Sequence, residues 1–165
     1  MSANLVRGVE ELVGLSVWAV VAGSGTGSVI NLLFGEAIRR STPISNPTLP
    51  AKVRDHDASH SLFIRCVWRL DGESEVITGA WDDNQAGGPM LAGLTPLVGD
   101  RVKSVWLGRP AFDLDVLFES GKTLRVFCDQ INSEDDNPNY SLLLPTVVHT
   151  VGCRSQLRES VRGPI

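Results

Sequence analysis

The stretch "LVGLSVWAVVAG", residues 12–23, decides how this chain is read. Its valines, tryptophan and closing glycine have the composition of a strand running into a turn. The chain continues with "SGTGSVINLLF", residues 24–34, in which two more glycines precede a β-branched and bulky apolar run. A phosphate-cradling loop needs a helix N-terminus behind it, where free amides and the helix dipole converge on the anion. No lysine follows the glycines, and the run after them has strand character, so the Walker pattern fails. The expectation is a β-hairpin with residues 23–27 at its tip.

The same phrase returns later. "LVGDRVKSVWLG", residues 97–108, matches residues 12–23 at one constant offset. Leu12, Val13 and Gly14 meet Leu97, Val98 and Gly99; Val17 meets Val102, Val20 meets Val105, and Gly23 meets Gly108. After a one-residue slip, "VINLLF" (residues 29–34) faces "DLDVLF" (residues 113–118). "WRLDGESEVITG" (residues 68–79) has a looser echo in "YSLLLPTVVHTVG" (residues 140–152). Such self-similarity predicts an internal duplication.

The expected layout is mostly β, with a β-dominated α+β arrangement as its variant: two similar antiparallel halves, related by duplication and packed against each other. Residues 1–81 form the first half, 82–96 a linker, and 97–165 the second half, all in one compact unit. A short helix or irregular lead is expected over residues 3–13. Strands are expected at 15–22, 28–34, 62–70, 75–80, 101–107, 113–119, 123–128, 140–144 and 147–151, with a further possibility at 36–41. Residues 42–60 carry three prolines and no hydrophobic period, which reads as a long loop. The linker "DDNQAGGPMLAGLTP" has room for one helical turn after Pro89, and the polar C-terminal tail reads as frayed. Neither half has enough apolar surface for a core of its own, so the two bury their faces on each other.

Bulk properties narrow the function. The 165 residues are 42% hydrophobic and 21% charged, with a formal net charge of −4, as in an ordinary soluble domain. A net acidic chain lacks the clustered basic excess of nucleic-acid or anionic-membrane binders. Residues 12–22 are apolar but follow Glu10 and Glu11, where a secretory signal carries positive charge, and they are far short of the ~20 residues of a membrane span. Three cysteines, Cys66, Cys128 and Cys153, have no short spacing, which fits a reduced, cytoplasmic setting.

Candidate sites are few. "RDHDASH", residues 54–60, sets His56 and His60 four apart, a spacing that on a helix lets two imidazoles share a metal ion. Prolines precede it and no third ligand is in sight, so the expected metal and cofactor set is empty. Asp113 and Asp115 alternate onto one face of a strand, where Arg101, Lys103 or Arg125 can neutralise them from neighbouring strands. Cys128 with His149 is the one thiol–imidazole pairing worth naming, and nothing orients either residue. No catalytic constellation is expected.

The remaining signal points to a binding surface. Trp68 and Trp81 bracket a hairpin, and tryptophan favours interfaces. Asp82, Asp83, Glu134, Asp135 and Asp136 lie in acidic loops suited to steering a basic protein partner. The hairpin "DLDVLFESGKTLRVF", followed by "NYSLLLP" and "VGCRSQL", resembles small bacterial proteins of the immunity type. That resemblance implies a cytoplasmic protein that neutralises a toxin by covering it, and it transfers no binding residues because these vary among such proteins. The competing expectation is a small-molecule module, with a pocket between the halves or under residues 42–60, lined by Trp68, Trp81 and Phe63.

Overall fold

The computed structural model describes residues 1–132 and 137–165. Its elements are α1 (Ser2–Glu10), β1 (Val17–Val21), β2 (Ile30–Arg39), α2 (Ala51–Asp55), β3 (His56–Ile64), β4 (Val67–Asp71) and β5 (Val76–Gly79). Then come α3 (Pro89–Leu94), a 3-10 turn (Thr95–Leu97), β6 (Val102–Leu107), β7 (Leu114–Phe118), β8 (Thr123–Phe127), β9 (Tyr140–Leu143), β10 (Val147–Val151) and β11 (Leu157–Val161). The glycine-rich stretch is the tip of the β1–β2 hairpin. Gly23, Gly25 and Gly27 all adopt positive φ, which residues with a Cβ avoid. The Asn84 amide nitrogen donates to the Gly23 and Gly27 carbonyls at 3.0 and 2.9 Å and holds the tip in place.

The fold is mostly β. Two antiparallel sheets run in the orders β1-β2-β3-β9-β10-β11 and β5-β4-β8-β7-β6. Burial alternates residue by residue along β7 and β8, the period-2 signature of strands with one face on a core. Leu32, Phe34, Leu62 and Leu142 from one sheet meet Trp68, Leu70, Val116 and Leu124 from the other, and Leu5 and Val9 of α1 join them. The chain passes from one sheet to the other between β3 and β4 and again between β8 and β9. Asn139 ties these crossings together. Its carbonyl accepts the amides of Arg65 (2.9 Å) and Cys66 (3.1 Å), while its buried side chain bonds Gln130 and Gly152.

The two matched segments stand in matched places. Val17 pairs with Phe34 and then the register slips before Ala19 meets Leu33; Val102 pairs with Phe118 and slips before Ser104 meets Leu117. The segments also grip each other reciprocally along the seam between the sheets. Gly14 N–H donates to Val102 C=O at 2.8 Å, and Gly99 N–H to Val17 C=O at 2.7 Å. Val102 N–H donates to Leu15 C=O and Val17 N–H to Asp100 C=O, both at 2.9 Å. Beyond the hairpins, β9 and β10 extend the sheet begun by β1–β3, while β4 and β5 extend the sheet begun by β6–β8. Each sheet therefore takes strands from both residues 1–81 and residues 97–165.

Four sequence expectations change. Residues 42–60 are not one loop, because α2 occupies Ala51–Asp55 and β3 begins at His56, which pairs with Arg39. The separate strand expected at 36–41 is the far end of β2, beyond a bulge at Gly35 whose φ is +72°. The single strand expected over 62–70 breaks at Arg65–Cys66 because the chain changes sheets there. The C-terminal tail is β11, paired along β10. What locks it down is Arg162, whose buried guanidinium donates to the carbonyls of Ala58 (2.7 Å), Ser59 (2.8 Å) and Leu144 (3.0 Å) and lies 3.1 Å from the Asp57 carboxylate.

Candidate functional site

The outer face of the five-stranded sheet gathers the chain's most interaction-prone side chains. Register places Gly79, Arg69, Arg125, Asp115 and Trp106 in one row across β5, β4, β8, β7 and β6. Their sequence neighbours Trp68, Leu70, Leu124, Val126, Leu114 and Val116 are buried, so alternation turns this row outward. Arg69 and Arg125 are directly opposed, and like charges so placed repel. Two carboxylates resolve the conflict. Arg69 grips Asp71 with Nε and Nη2 at 2.6 and 3.0 Å, while Arg125 donates from Nε to Asp71 at 2.7 Å and from Nη1 to Asp115 at 2.6 Å.

The network leaves its mark on the titrating groups. The Arg69 hydrogen bond, with Arg125 behind it, holds the Asp71 carboxyl below the usual carboxylate range, and Asp71 in turn raises Arg69. Burial pushes Asp115 up, and the charge of Arg125 pulls against it. Aromatic groups frame this ionic strip. Arg69 stands 5.6 Å from the Phe127 ring centroid, Trp106 is 60% exposed at one edge and Trp81 is 89% exposed at the other. A shallow concavity of about 530 Å³ lies at the Trp81 end, with Val67, Arg69, Ile77, Trp81 and Phe127 on its walls.

The expected residues distribute unevenly. Trp81 is on this face. Trp68 reaches the concavity's floor but is a core residue, 1% exposed, with Nε1 donating to the Ser28 carbonyl at 2.7 Å, which corrects its assignment as a contact residue. Asp82 accepts from the Thr78 hydroxyl at 2.7 Å and Asp83 accepts the Gln85 amide at 3.0 Å, so both shape the turn leaving β5 at the end of the face. Glu134, Asp135 and Asp136 lie outside the described residues. Phe63 does not join Trp68 and Trp81; it is on β3 in the other sheet, under the Arg65 guanidinium at 4.1 Å.

His56 and His60 lie on a strand rather than a helix, where four residues span about 13 Å and exclude a shared ion. His56 Nδ1 faces the Lys52 carbonyl at 3.1 Å. His60 Nδ1 meets the Ser59 hydroxyl at 2.9 Å, and its Nε2 lies 3.5 Å from Glu11. Burial lowers the His60 pKa below the ordinary histidine value, with Glu11 opposing. Among the described residues no three metal-ligating side chains cluster. Cys128 follows β8 of one sheet and His149 is on β10 of the other. The neighbouring Cys66 and burial push the Cys128 thiol far above its usual range, and His149 lies 3.6 Å from Glu159. Asp113 accepts the Cys128 amide at 2.7 Å and takes no part in the arginine network.

The sequence offers Arg101, Lys103 or Arg125 for Asp113 and Asp115; Arg125 takes Asp115, and Arg69 and Asp71 were missed. The signal was present in "WRLD", whose charged residues alternate with buried Trp68 and Leu70. Among the described residues, no helix is long and apolar enough to cross a membrane. Comparison with family models, curated proteins and solved structures finds no match to this chain.

Proposed function

We propose that this protein is a non-catalytic binding protein whose outer five-stranded sheet face docks a protein partner. The observation that carries this reading is Trp81, 89% exposed, and Trp106, 60% exposed, at opposite edges of a fixed arginine–carboxylate strip. Large exposed aromatic groups are costly to leave in water, and tryptophan and arginine dominate the energetics of protein interfaces. The two arginines are already held by Asp71 and Asp115, so little side-chain entropy remains to be lost on docking. The formal charge of −4, with Asp82 and Asp83 at one end of the face, favours encounter with a basic partner. A cytoplasmic immunity-type role, in which the face covers a toxin, is the specific form of this reading.

The test is titration calorimetry against the product of the neighbouring gene, co-expressed with this chain. Wild-type protein binds at nanomolar affinity, and Trp81→Ala and Trp106→Ala each weaken binding at least tenfold. Equal binding by both variants overturns the reading.

We also infer that the two halves descend from one copied module. The reciprocal seam bonds, the matching register slips after Val17 and Val102, and the strand pairs that extend each sheet support this origin.

A further inference from the structure

A second surface, away from the sheet face, has its own chemistry. β1 is the edge strand of the six-stranded sheet. On its outer side only Val17 makes backbone hydrogen bonds, to Gly99 and Asp100; among the described residues, Trp18 to Val21 have no backbone partner there. A groove follows this edge. Trp18, Ala19, Val20, Val21 and Ala22 all touch it in succession. Because side chains alternate between faces, contact with consecutive residues means the groove runs along the backbone edge, not over one face. One wall is Leu49, Pro50 and Val53; the other is Leu91, Leu94 and Val98.

The groove has two connected parts, about 300 Å³ beside Trp18 and about 610 Å³ beside the glycine tip, which share Val20, Ala22, Pro50 and Leu91. At the Trp18 end, the Lys52 ammonium stands 5.1 Å from the indole centroid, and among the described residues it forms no ion pair. Unpaired strand-edge amides and carbonyls, apolar walls on both sides and the Lys52 ammonium at one end define the occupant. A compact small molecule leaves the edge groups unpaired, and a helix has no free backbone groups to offer them. An extended peptide satisfies both.

We propose that this groove binds a short extended peptide segment by strand addition to β1, antiparallel, with a carboxylate of its C-terminal end on Lys52. Antiparallel addition brings the peptide's C-terminal end to Trp18, where Lys52 stands and where the seam at Gly99 ends the free edge. The free edge accommodates a segment of about five residues, since a strand rises about 3.3 Å per residue. This site is independent of the proposed docking face and survives if that reading fails.

The probe is an acetylated Val-Thr-Val-Thr-Val peptide with a free carboxyl terminus, titrated into the full-length protein and followed by backbone amide NMR. Binding shifts the amides of Trp18 to Val21. N-methylation of the peptide's alternate amides, which removes strand hydrogen bonds, weakens it at least tenfold. Lys52→Glu, a change at an exposed residue, weakens the free-carboxylate peptide severalfold and leaves its C-terminal amide form unchanged. No saturable shifts, or equal binding of the N-methylated peptide, overturns the proposal. So does decanoate displacing the peptide at equal affinity, which assigns the groove to small apolar acids, or β1 edges pairing between two copies that the peptide cannot separate.

Discussion

Arg125 Nη1 stands 2.6 Å from Asp115 Oδ2, and the two residues are directly paired across β8 and β7. This bond is one arm of a strip in which Arg125 also holds Asp71, and Asp71 holds Arg69. Both side chains remain partly in water, at 38% and 26% exposure, so the strip orders the surface more than it stabilises the fold.

Arg125→Met is therefore expected to cost only about 1 kcal/mol in urea unfolding. Asp115→Asn removes a carboxylate that burial disfavours and is expected to be neutral or slightly stabilising at pH 7. Asp71 behaves in the opposite sense. Its folded pKa is depressed, so its contribution is full above the unfolded value near ~3.9 and is lost as pH falls through the folded value. Asp71→Asn should flatten the stability profile in that acid window; an unchanged profile would contradict the pairing.

His60 sets a second pH response at higher pH. Its folded pKa is lowered, chiefly by burial, so below the unfolded value near ~6.5 the unfolded chain takes up the proton first. Stability attributable to His60 is thus complete above that value, declines as pH falls from it toward the folded value, and then levels. Chemical denaturation at pH 7.5 and 5.5 should show a smaller difference for His60→Gln than for the wild type.

The Arg162 side chain is 5% exposed and joins β11 to β3 and the end of β9 through three carbonyls and Asp57. Truncating one partner of a buried charge network costs about 3 kcal/mol. Arg162→Ala should lower stability by that amount, and hydrogen exchange should show residues 157–161 losing protection while the β7–β8 pairing keeps its own.

Sheets built from both ends of the chain predict a failure of those ends as separate pieces. Residues 1–88 hold β4 and β5 without the sheet they extend, and residues 89–165 hold β9 and β10 in the same position. Each fragment alone should give a disordered circular dichroism spectrum, and mixing them should restore the β signal. A folded residue 1–88 fragment would contradict the interdependence.

The hairpins were legible in the sequence because they are local. Val17 to Phe34 and Val102 to Phe118 carry strand-forming residues around turns, and Gly23, Gly25 and Gly27 leave the tip little alternative. That β4–β5 join β8 and β9–β10 join β3 was not legible, since β4, β7 and β8 share the same apolar alternation and partner choice depends on distant residues. Polar His56 to His60 became strand through pairing with the far end of β2, which no local pattern announces. Of the face, Trp81 was readable, and Arg125 stood among the three cations offered to Asp113 and Asp115. The opposite fates of Trp68 and Trp81 were not, because burial is decided by which sheet face each residue meets.

The claim that matters most is that the framed sheet face is where a partner sits. A photo-crosslinking residue placed at Trp81, at Trp106 and, as a control, at Val161 on β11, which is 88% exposed, tests it in the source cells. The account predicts one and the same protein adduct from positions 81 and 106 and none from 161. An adduct from 161 alone, or none at either tryptophan position, would contradict it.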